Sequence, residues 1–401
     1  MSICPAEYWI WLQTALGAGA QTSEILAYFE TPEKLYLAGS HEWRLSGLFT
    51  EKKIQALKSS TPSQTGAVFK ECREKGYTII TPDSDYYPQR LAELPNMPLV
   101  LYGIGDCSVL KDTVSVGIVG TRNASNYGIE TAQKLSYRLA QAGATIVSGG
   151  ALGIDSEAHA GAMLAKGRTF AFLGCGLSYD YLKENAALRR AITRYGAVFS
   201  EYQPFTPPSR ATFPIRNRLI SGASLGIVVI EAGVKSGSLI TANCALDQGK
   251  DVFAVPGDIV RSSFDGTNHL IKNGAKPVFS AEDVLGEYEY LYGDLFDIEK
   301  AREPLSKVKY VDYRKPKAKK EDTPPMPVPQ KKILPVTRQE LGDDVSEDAK
   351  VIYKALKEEP MHIDDIVRET EMKMNIVLSS LTELELIGAV EQVTGKKYKL
   401  I

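Results

Sequence analysis

The sequence is poor in the residues that build secreted, metal-binding or membrane-spanning proteins. Its 401 residues include five cysteines, which lie far apart without a Cys-x-x-Cys pair, and only four histidines. This pattern favours reduced thiols in a cytosolic protein over a disulfide framework or a zinc site. No apolar run is long enough to cross a bilayer, and the N-terminus lacks the basic flank of a signal peptide. We therefore expect a cytoplasmic protein with no membrane partner.

An excess of one charge sign is also lacking. The 47 Lys and Arg residues nearly balance the 49 Asp and Glu residues, and the formal net charge is −2. A protein that coats DNA uniformly would be strongly basic, so any nucleic-acid contact is expected to be local.

Composition divides the chain into four predicted regions. Short helical patterns predict a small N-terminal helical domain, similar to SAM and helix-hairpin-helix modules, over residues 1–85. A Rossmann-like domain is predicted for residues 86–290, and a flexible linker rich in proline and lysine for residues 291–345. Three helical patterns and a terminal hairpin predict a winged helix over residues 346–401.

The second region alternates apolar runs with amphipathic segments. Runs that are apolar throughout are typical of strands covered on both faces. The pattern therefore predicts an α/β fold, a Rossmann-like doubly wound sheet that is mainly parallel. The predicted strands are VSVGIVG, ATIVSGG, TFAFLGCG, GAVFSEY, LGIVVIEAG and DVFAVPG.

The first strand-to-helix turn, GIVGTRNASNYG, is glycine-rich without being a dinucleotide site. Such a site needs G-x-G-x-x-G and an acid about 20 residues later. Here the spacing is G-x-x-G, and the second strand ends in Ser-Gly-Gly with no carboxylate. We therefore expect no NAD or FAD cofactor. Arg122 in this turn is either a phosphate or base contact or a surface cation, and its place at the carboxyl edge of the sheet favours contact.

Several other turns at this edge are rich in glycine and serine, which favours an extended anionic ligand over a single nucleotide. The turn at residues 236–238 opens a helix and can cradle a phosphate, with Lys235 beside it. Capping of that helix by Ser236 or Ser238 explains the same residues equally well.

The segment TFPIRNRLISG, residues 212–222, sets two arginines beside an aromatic residue. Single strands of nucleic acid are held by cations that follow the phosphates and by aromatic faces on which bases stack. Phe213 can supply the face, and Arg216 and Arg218 the forked donors. We expect one arginine to pair with Glu231 and the other to face the groove, without knowing which.

The motifs VGIVGTRNASNYG, SGGALGIDSEAH, VFSEY, FPIRNRLISG, VIEAGVKSGSLITA, VFAVPGD and GTNHLIKNGA resemble those of the DNA-processing protein A (DprA/Smf) family, in the family order. The resemblance covers roughly residues 87–285. It implies a protein that binds single-stranded DNA, protects incoming DNA and loads the RecA recombinase in natural transformation or homologous recombination. It also implies a homodimer.

In that family the glycine-loop arginine and the segment around the Phe-Pro motif line the DNA pocket. The residues expected to bind DNA are Gly120, Thr121, Arg122, Ser125, Ser148, Gly149, Arg210, Phe213, Arg216, Asn217, Arg218, Lys235, Ser236, Gly237 and Ser238. The resemblance places the dimer surface at His269, Leu270 and Ile271.

Catalysis and metal binding are not expected. Asp155 and His159 lie four apart on a predicted helix but lack a third ligand, so they are expected to cap the helix and to fill the core. The rival interpretation is a Rossmann-like phosphoribohydrolase of the lysine-decarboxylase-like (LOG) group, which uses a P-G-G-x-G-T-x-x-E turn. The corresponding turn here, EAGVKSGSLIT, lacks the downstream glutamate.

The C-terminal regions differ in charge. Residues 300–335 carry eleven basic and four acidic side chains, which suits either salt-sensitive DNA affinity or a solvated spacer. Residues 346–401 carry eight basic and eleven acidic side chains, and the predicted recognition helix MNIVLSSLTELEL has no cation. Because a helix that reads the major groove normally presents Arg, Lys, Asn or Gln, we predict that the winged helix contacts protein.

Overall fold

The computed structural model divides the chain into two units, Met1–Asp312 and Tyr313–Ile401. The first unit contains every residue predicted to bind DNA or to form the dimer. The residues that the structure describes are 4–181, 183–312, 345–356, 361–387, 389–393 and 397–400.

Five helices form the N-terminal part of the first unit. Threonines begin two of them, because the hydroxyls of Thr31 and Thr50 accept hydrogen bonds from backbone N–H groups in the first turn. Trp11 and Leu12 of the first helix are buried with Leu35 of the third, so these helices share one core. The helices are α1 (Pro5–Leu16), α2 (Ser23–Phe29), α3 (Pro32–Leu45), α4 (Glu51–Lys58) and α5 (Gly66–Lys75).

The first unit is built on a nine-stranded sheet. Its strands are β1 (Thr78–Ile80), β2 (Leu101–Gly105), β3 (Ser115–Val119), β4 (Thr145–Ser148), β5 (Thr169–Leu173), β6 (Gly196–Ser200), β7 (Gly226–Val229), β8 (Asp251–Ala254) and β9 (Lys276–Pro277). Strands β3 to β9 run parallel, whereas β2 is antiparallel to β6 and β1 is antiparallel to β2. The six predicted runs form β3 to β8, and the predicted fold class is confirmed.

The order of strands across the sheet is β1-β2-β6-β5-β4-β3-β7-β8-β9. Strand β3 pairs with β4 on one side and with β7 on the other, so the chain reverses its direction of travel there. In open sheets of this type the crevice at such a switch point, outside the carboxyl ends of the strands, is where ligands bind.

Helices cover both faces of the sheet. Ile118 of β3 packs with Leu135 on one face, whereas the next residue, Val119, packs with Leu219 on the other. This alternation is what adjacent residues of a strand impose. The helices are α6 (Gln89–Ala92), α7 (Asn126–Gln141), α8 (Ile154–Leu164), α9 (Ala186–Ile192), α10 (Thr212–Gly222), α11 (Gly237–Asp247), α12 (Asp265–Lys272), α13 (Glu282–Leu285), α14 (Glu289–Tyr292) and α15 (Ile298–Arg302).

Residues 291–312 are not a linker, so the predicted start of the linker is wrong for them. Ala301 and Val308 are buried, and Arg138 of α7 forms an ion pair with Glu303, with 2.9 Å between Nη1 and Oε2. The apolar residues that anchor this segment are spaced among charged residues and one proline, which hid them in the composition. The rest of the predicted linker, residues 313–344, lies outside the described residues.

The second unit contains the predicted winged helix. Its three helices are α16 (Glu347–Ala355), α17 (Ile363–Thr370) and α18 (Met374–Leu386). Ile352, Ile366 and Leu381, one from each helix, are buried together. The wing strands β11 (Val390–Val393) and β12 (Lys397–Leu400) pair antiparallel, and β12 also pairs with a short strand that was not predicted, β10 (Met361–His362).

Candidate nucleic-acid interface

The segment TFPIRNRLISG is helical over its whole length as α10, which the sequence analysis did not predict. Pro214 is its third residue, within the first turn, where a missing N–H breaks no helical hydrogen bond. Ser209 and Thr212 brace the start, since each backbone N–H donates to the hydroxyl of the other residue, at 3.1 and 3.3 Å.

The side chains of Arg216 and Arg218 point to opposite sides of α10. Residues two apart on an α-helix point about 200° apart, whereas residues three apart share a face. Arg216 therefore joins Phe213 on the face that meets the carboxyl edge of the sheet. Arg218 points toward the N-terminal helices.

Arg216 is a buried cation held by main-chain oxygens. Its Nη1 donates to the carbonyl oxygen of Gly149 at 2.7 Å and also to that of Phe172. Burial lowers the pKa of Arg216, and the carboxyl of Asp155 acts in the opposite direction. A guanidinium stays charged even so. The result is a fixed positive charge at the bottom of a cleft.

Phe213 presents its ring to two guanidinium groups. The Cζ atom of Arg122 lies 5.3 Å from the ring centroid, and that of Arg216 lies 5.9 Å from it. Both are within the range of cation–π attraction. The ring of Tyr181 is tilted against the same ring, with centroids 5.4 Å apart. A Cβ atom at Gly174 would lie 2.7 Å from the Phe213 ring, so glycine is needed there to seat it.

Glu231 fixes the glycine loop that carries Arg122. Its Oε2 accepts from the backbone N–H and from the hydroxyl of Ser125, at 2.9 and 2.8 Å. Ser125 in turn caps α7, because its Oγ accepts from the N–H of Gly128 at 3.1 Å. The N–H of Thr121 donates to the backbone oxygen of Glu231 at 2.8 Å. Glu231 therefore holds the loop rather than pairing with an arginine.

Asp155 and His159, both on α8, have structural partners. Oδ2 of Asp155 accepts from the N–H groups of Gly149 and Ala151, at 3.2 and 3.3 Å, and burial raises the pKa of this carboxyl. His159 is a buried core histidine whose Nδ1 lies 2.7 Å from Thr169 Oγ1. Burial lowers its pKa to about 3, so the ring is neutral. Among the described residues no group of His, Cys, Asp and Glu is arranged to hold a metal ion.

The N-terminus of α11 forms another wall of the same site. Ser236 caps this helix, because its Oγ accepts from the N–H of Ser238 at 3.4 Å, and the two hydroxyls lie 2.8 Å apart. Asn217 of α10 reaches across to donate to the carbonyl oxygen of Gly237 at 3.3 Å. The capping explanation thus applies, and the exposed backbone of Gly237 still faces the cleft.

These elements enclose a cleft of about 320 Å3 between the carboxyl ends of β3 and β4 and helices α10 and α11. We call it the switch-point cleft. It brings together nine of the residues predicted to bind DNA, from three separate segments of the chain. They are Gly120, Thr121, Arg122, Phe213, Arg216, Asn217, Ser236, Gly237 and Ser238.

Six predicted residues do not line this cleft. The hydroxyl of Ser148 donates to Ile118 O. Gly149 accepts from Arg216 through its carbonyl oxygen and donates to Asp155 through its N–H, so both residues support the lining of the cleft without forming it. Ser125 caps α7 as described. Arg210 and Lys235 are exposed on turns that precede α10 and α11. The sixth, Arg218, is buried elsewhere.

The structural arginine is Arg218, and its partner is Glu201 rather than Glu231. Nη2 of Arg218 lies 2.6 Å from Oε1 of Glu201, and both side chains are buried. The same Oε1 accepts from the N–H of Gly19 at 3.1 Å, and Gln13 donates to the backbone oxygen of Glu201. The role of Glu201 was not predicted from the sequence. The sequence did contain a signal for this role. Glu201, in the motif VFSEY, follows β6 just as Glu231 follows β7.

The residues predicted for the dimer surface lie on α12. His269 is exposed, and its Nε2 lies 2.8 Å from Nδ2 of Asn273. Leu270 and Ile271 are both half-buried, and Leu270 packs against the core. Adjacent residues on a helix cannot share one face, so Ile271 points away from the core contact of Leu270.

In the described part of the winged helix, two of the three wing lysines can be placed. Lys397 is exposed, Lys399 forms an ion pair with Glu391 at 3.0 Å, and Lys396 lies outside the described residues. None of the helices that the structure describes is long and apolar enough to pass through a membrane.

Comparisons with known proteins place the chain in a family. A model of the DNA recombination-mediator protein A family matches residues 78–289, and a model of the DprA winged helix domain matches residues 336–396. Protein Smf of Synechocystis sp. is 32% identical over 397 residues, which is 98% of each chain. DNA processing protein DprA of Bacillus subtilis is 42% identical over 215 residues, 54% of this chain and 72% of that protein.

A solved structure has the same fold. The X-ray structure of DNA processing protein A from Streptococcus pneumoniae aligns with a TM-score of 0.62 and 34% identity, over 72% of this chain and 99% of that chain. Because the first family model spans more than half of the chain and the Synechocystis relative matches nearly all of it, this chain belongs to the DNA recombination-mediator protein A family, whose relatives carry the names DprA and Smf.

Proposed function

We propose that this protein binds single-stranded DNA in the switch-point cleft, protects the strand and loads the RecA recombinase onto it in natural transformation or homologous recombination. One observation carries the DNA-binding step. Two guanidinium groups, from Arg122 and Arg216, flank the ring of Phe213 at the carboxyl edge of the sheet.

The chemistry of the cleft suits a single strand better than a duplex. A base inside a duplex presents only its edges in the grooves, so its face cannot stack on a ring inside a cleft. An unpaired base can stack on Phe213, and base–aromatic stacking tolerates any base. We therefore expect binding with little sequence preference.

The backbone of the strand also finds suitable partners. The charge of Arg216 is held by carbonyl oxygens, and Arg122 is exposed beside it. The N-terminus of α11 adds backbone N–H groups and the positive end of a helix dipole. A phosphate close to these groups would be bound by charge-assisted hydrogen bonds.

Dimer formation and RecA loading come from the family resemblance. The surface of α12 supports a dimer contact, because His269 is exposed there and Ile271 is half-buried. The basic segment of residues 300–335 can add salt-sensitive affinity for the same strand.

Membership of a DNA-processing family does not favour the phosphoribohydrolase alternative. The acid among the residues that line the cleft is Asp155, and its Oδ2 already accepts two backbone hydrogen bonds. We propose a binding protein without catalytic activity.

The test is fluorescence anisotropy with a labelled oligothymidylate, with duplex DNA and AMP as competitors. We expect tight binding that duplex and AMP displace poorly, and strong loss in Arg122→Ala and Arg216→Ala. Lys111→Ala is the matched control, because this exposed lysine precedes the amino end of β3, at the opposite edge of the sheet. Displacement by AMP together with AMP hydrolysis would overturn the proposal in favour of the enzyme. Acceleration of RecA filament formation is the assay for the loading step.

A further inference from the structure

A second cavity lies along the same edge of the sheet. It has a volume of about 460 Å3, larger than the switch-point cleft, and it is enclosed by α5, α9 and the turns that follow β5 and β6. None of its lining residues was predicted to bind DNA. Those that matter below are Glu71, Lys75, Tyr179, Arg189, Arg190 and Phe205.

A small void lies between the two cavities. This void has a volume of only about 10 Å3. Phe213 and Arg216 line both the void and the switch-point cleft, while Tyr179 and Arg189 line both the void and the second cavity. The ring on which a base is proposed to stack is therefore the boundary between the two spaces.

The second cavity displays aromatic faces to solvent. Phe205 is 55% exposed and Tyr179 is 43% exposed, and both line the same cavity. The two turns that carry them are paired with each other, since the N–H of Ser178 donates to Pro204 O at 2.9 Å and that of Gly176 to Thr206 O at 2.8 Å. The aromatic faces are thus held on a braced support, as stacking platforms need to be.

Cations stand beside these aromatic residues. Arg190 and Lys75 are exposed, and Arg189 is half-buried, where burial lowers its pKa. Asp180 lies 3.8 Å from Arg189, and Glu71 accepts a 2.5 Å hydrogen bond from the hydroxyl of Ser178. Three basic side chains therefore face two acidic ones, and both acids have partners.

We propose that the second cavity is a further nucleotide subsite for the same single strand, with Phe205 and Tyr179 as stacking faces and Arg190 as the phosphate contact. The proposal rests on the function proposed above. It assigns a role to the N-terminal helices, because α5 supplies Lys75 to the wall of this subsite. The strand would run along the outer edge of the sheet, with Phe213 between the nucleotides held in the two cavities.

The test compares oligothymidylates of increasing length, since the shortest strands fill the switch-point cleft alone. Phe205→Ala and Arg190→Ala are expected to leave the affinity for the shortest strands unchanged and to weaken longer strands roughly tenfold, as loss of one stacked base or phosphate contact would. Arg122→Ala should weaken strands of every length. Matched controls are Arg194→Ala, an exposed arginine just after α9, and Tyr290→Ala, an aromatic residue that is 97% exposed.

The outcomes separate this proposal from the one on which it rests. If Phe205→Ala and Arg190→Ala bind all lengths like the wild type, or lose affinity equally at all lengths, the second subsite is overturned while DNA binding stands. If the wild type binds no strand, the proposed function fails and the subsite fails with it. Both side chains are exposed, so their removal should not prevent folding, and thermal melts of the variants check this directly.

Discussion

Arg218 and Glu201 form an ion pair in which both side chains are buried and Nη2 lies 2.6 Å from Oε1. Glu201 also accepts the N–H of Gly19, so one carboxylate joins α10 to the turn after α1. A Cβ atom at Gly19 would lie 2.7 Å from Ile215 of α10, which shows how closely this turn approaches the helix. The helix that carries Phe213 and Arg216 is thereby fixed from its other side.

Breaking this pair should destabilise the first unit. In Glu201→Gln the charge of Arg218 stays buried without a counter-ion, and we expect a loss of about 3–5 kcal/mol in the free energy of unfolding. Urea denaturation measures it. Glu51→Gln, which removes the partner of Arg44 at an exposed pair with 2.8 Å between the atoms, is the control and should change little.

A double variant sharpens that test. Replacement of both partners by apolar residues, Glu201→Leu with Arg218→Met, leaves no unpaired charge and should be more stable than Glu201→Gln. Equal instability of the two variants would show that the loss comes from packing or from the Gly19 hydrogen bond.

His159 should make stability depend on pH. Burial lowers its pKa in the folded protein to about 3, below the ordinary value of about 6.5 in the unfolded chain. Between these values the unfolded state binds the additional proton, so stability falls as the pH is lowered, by up to about 1.4 kcal/mol per pH unit. Unfolding free energies measured from pH 6.5 downward, by about two units, should show a shallower slope for His159→Gln than for the wild type.

The control for this slope is His41→Gln, at an exposed position on α3. It should keep the wild-type pH dependence. The quantity to compare is the slope of the unfolding free energy against pH. Its absolute value is less informative, because His159→Gln also disturbs the contact with Thr169. Parallel slopes for all three proteins would contradict the assignment of the acid sensitivity to His159.

The salt dependence of DNA binding should report the phosphate contact of Arg122. Each neutralised phosphate of a single strand contributes about 0.7 to the slope of log affinity against log salt. Arg122→Ala should therefore lower both the affinity and the magnitude of the slope by roughly that amount. Lys111→Ala should retain the full slope. A weaker affinity with an unchanged slope would make Arg122 a support for Phe213 rather than a phosphate ligand.

Gly149→Ala should reproduce the loss of Arg216. A Cβ atom at Gly149 would lie 2.6 Å from Nη1 of Arg216, so the guanidinium would be displaced from the carbonyl oxygens that hold it. We expect reduced affinity for single-stranded DNA, comparable to Arg216→Ala, in the anisotropy assay. At Gly286 an added Cβ meets no atom within 4 Å, so Gly286→Ala should bind like the wild type.

Removal of the winged helix should leave duplex affinity unchanged. The predicted recognition helix α18 has no cation, and Lys399 of the wing is already paired with Glu391. A chain ending at Asp312, the limit of the first unit, is the variant to compare with the full protein. A sharp fall in duplex binding would mean that this module contacts DNA after all.

Sequence patterns predicted the sheet well, because buried parallel strands are marked by apolar runs that no helix between them imitates. All six runs became β3 to β8, and the glycine loops therefore met at one edge. The place of each strand within the sheet could not be predicted from these runs, because the order of strands depends on the crossover connections. The convergence of Arg122 with Phe213 and Arg216, which lie in a distant segment, was expected from the family resemblance and not from the strand patterns.

Two features of the site were not predicted, because the local sequence pattern pointed to something else. Pro214 and a short apolar tail concealed α10, and without a helix the opposite directions of Arg216 and Arg218 could not be foreseen. Glu231, the acid expected at the end of a neighbouring strand, was predicted to pair with one of the two arginines. The actual partner, Glu201, ends β6 and reaches Arg218 because α10 packs across that side of the sheet.

The last strand of the sheet limits how two copies of this protein can associate. Strand β9 has only two residues, and one of them is Pro277, which has no N–H to donate. Its neighbour Lys276 places a charge on the same border. A border so short and charged cannot template continuous pairing with another chain. Strand addition is therefore disfavoured at this end, and self-association there is expected to use side chains, such as those of α12.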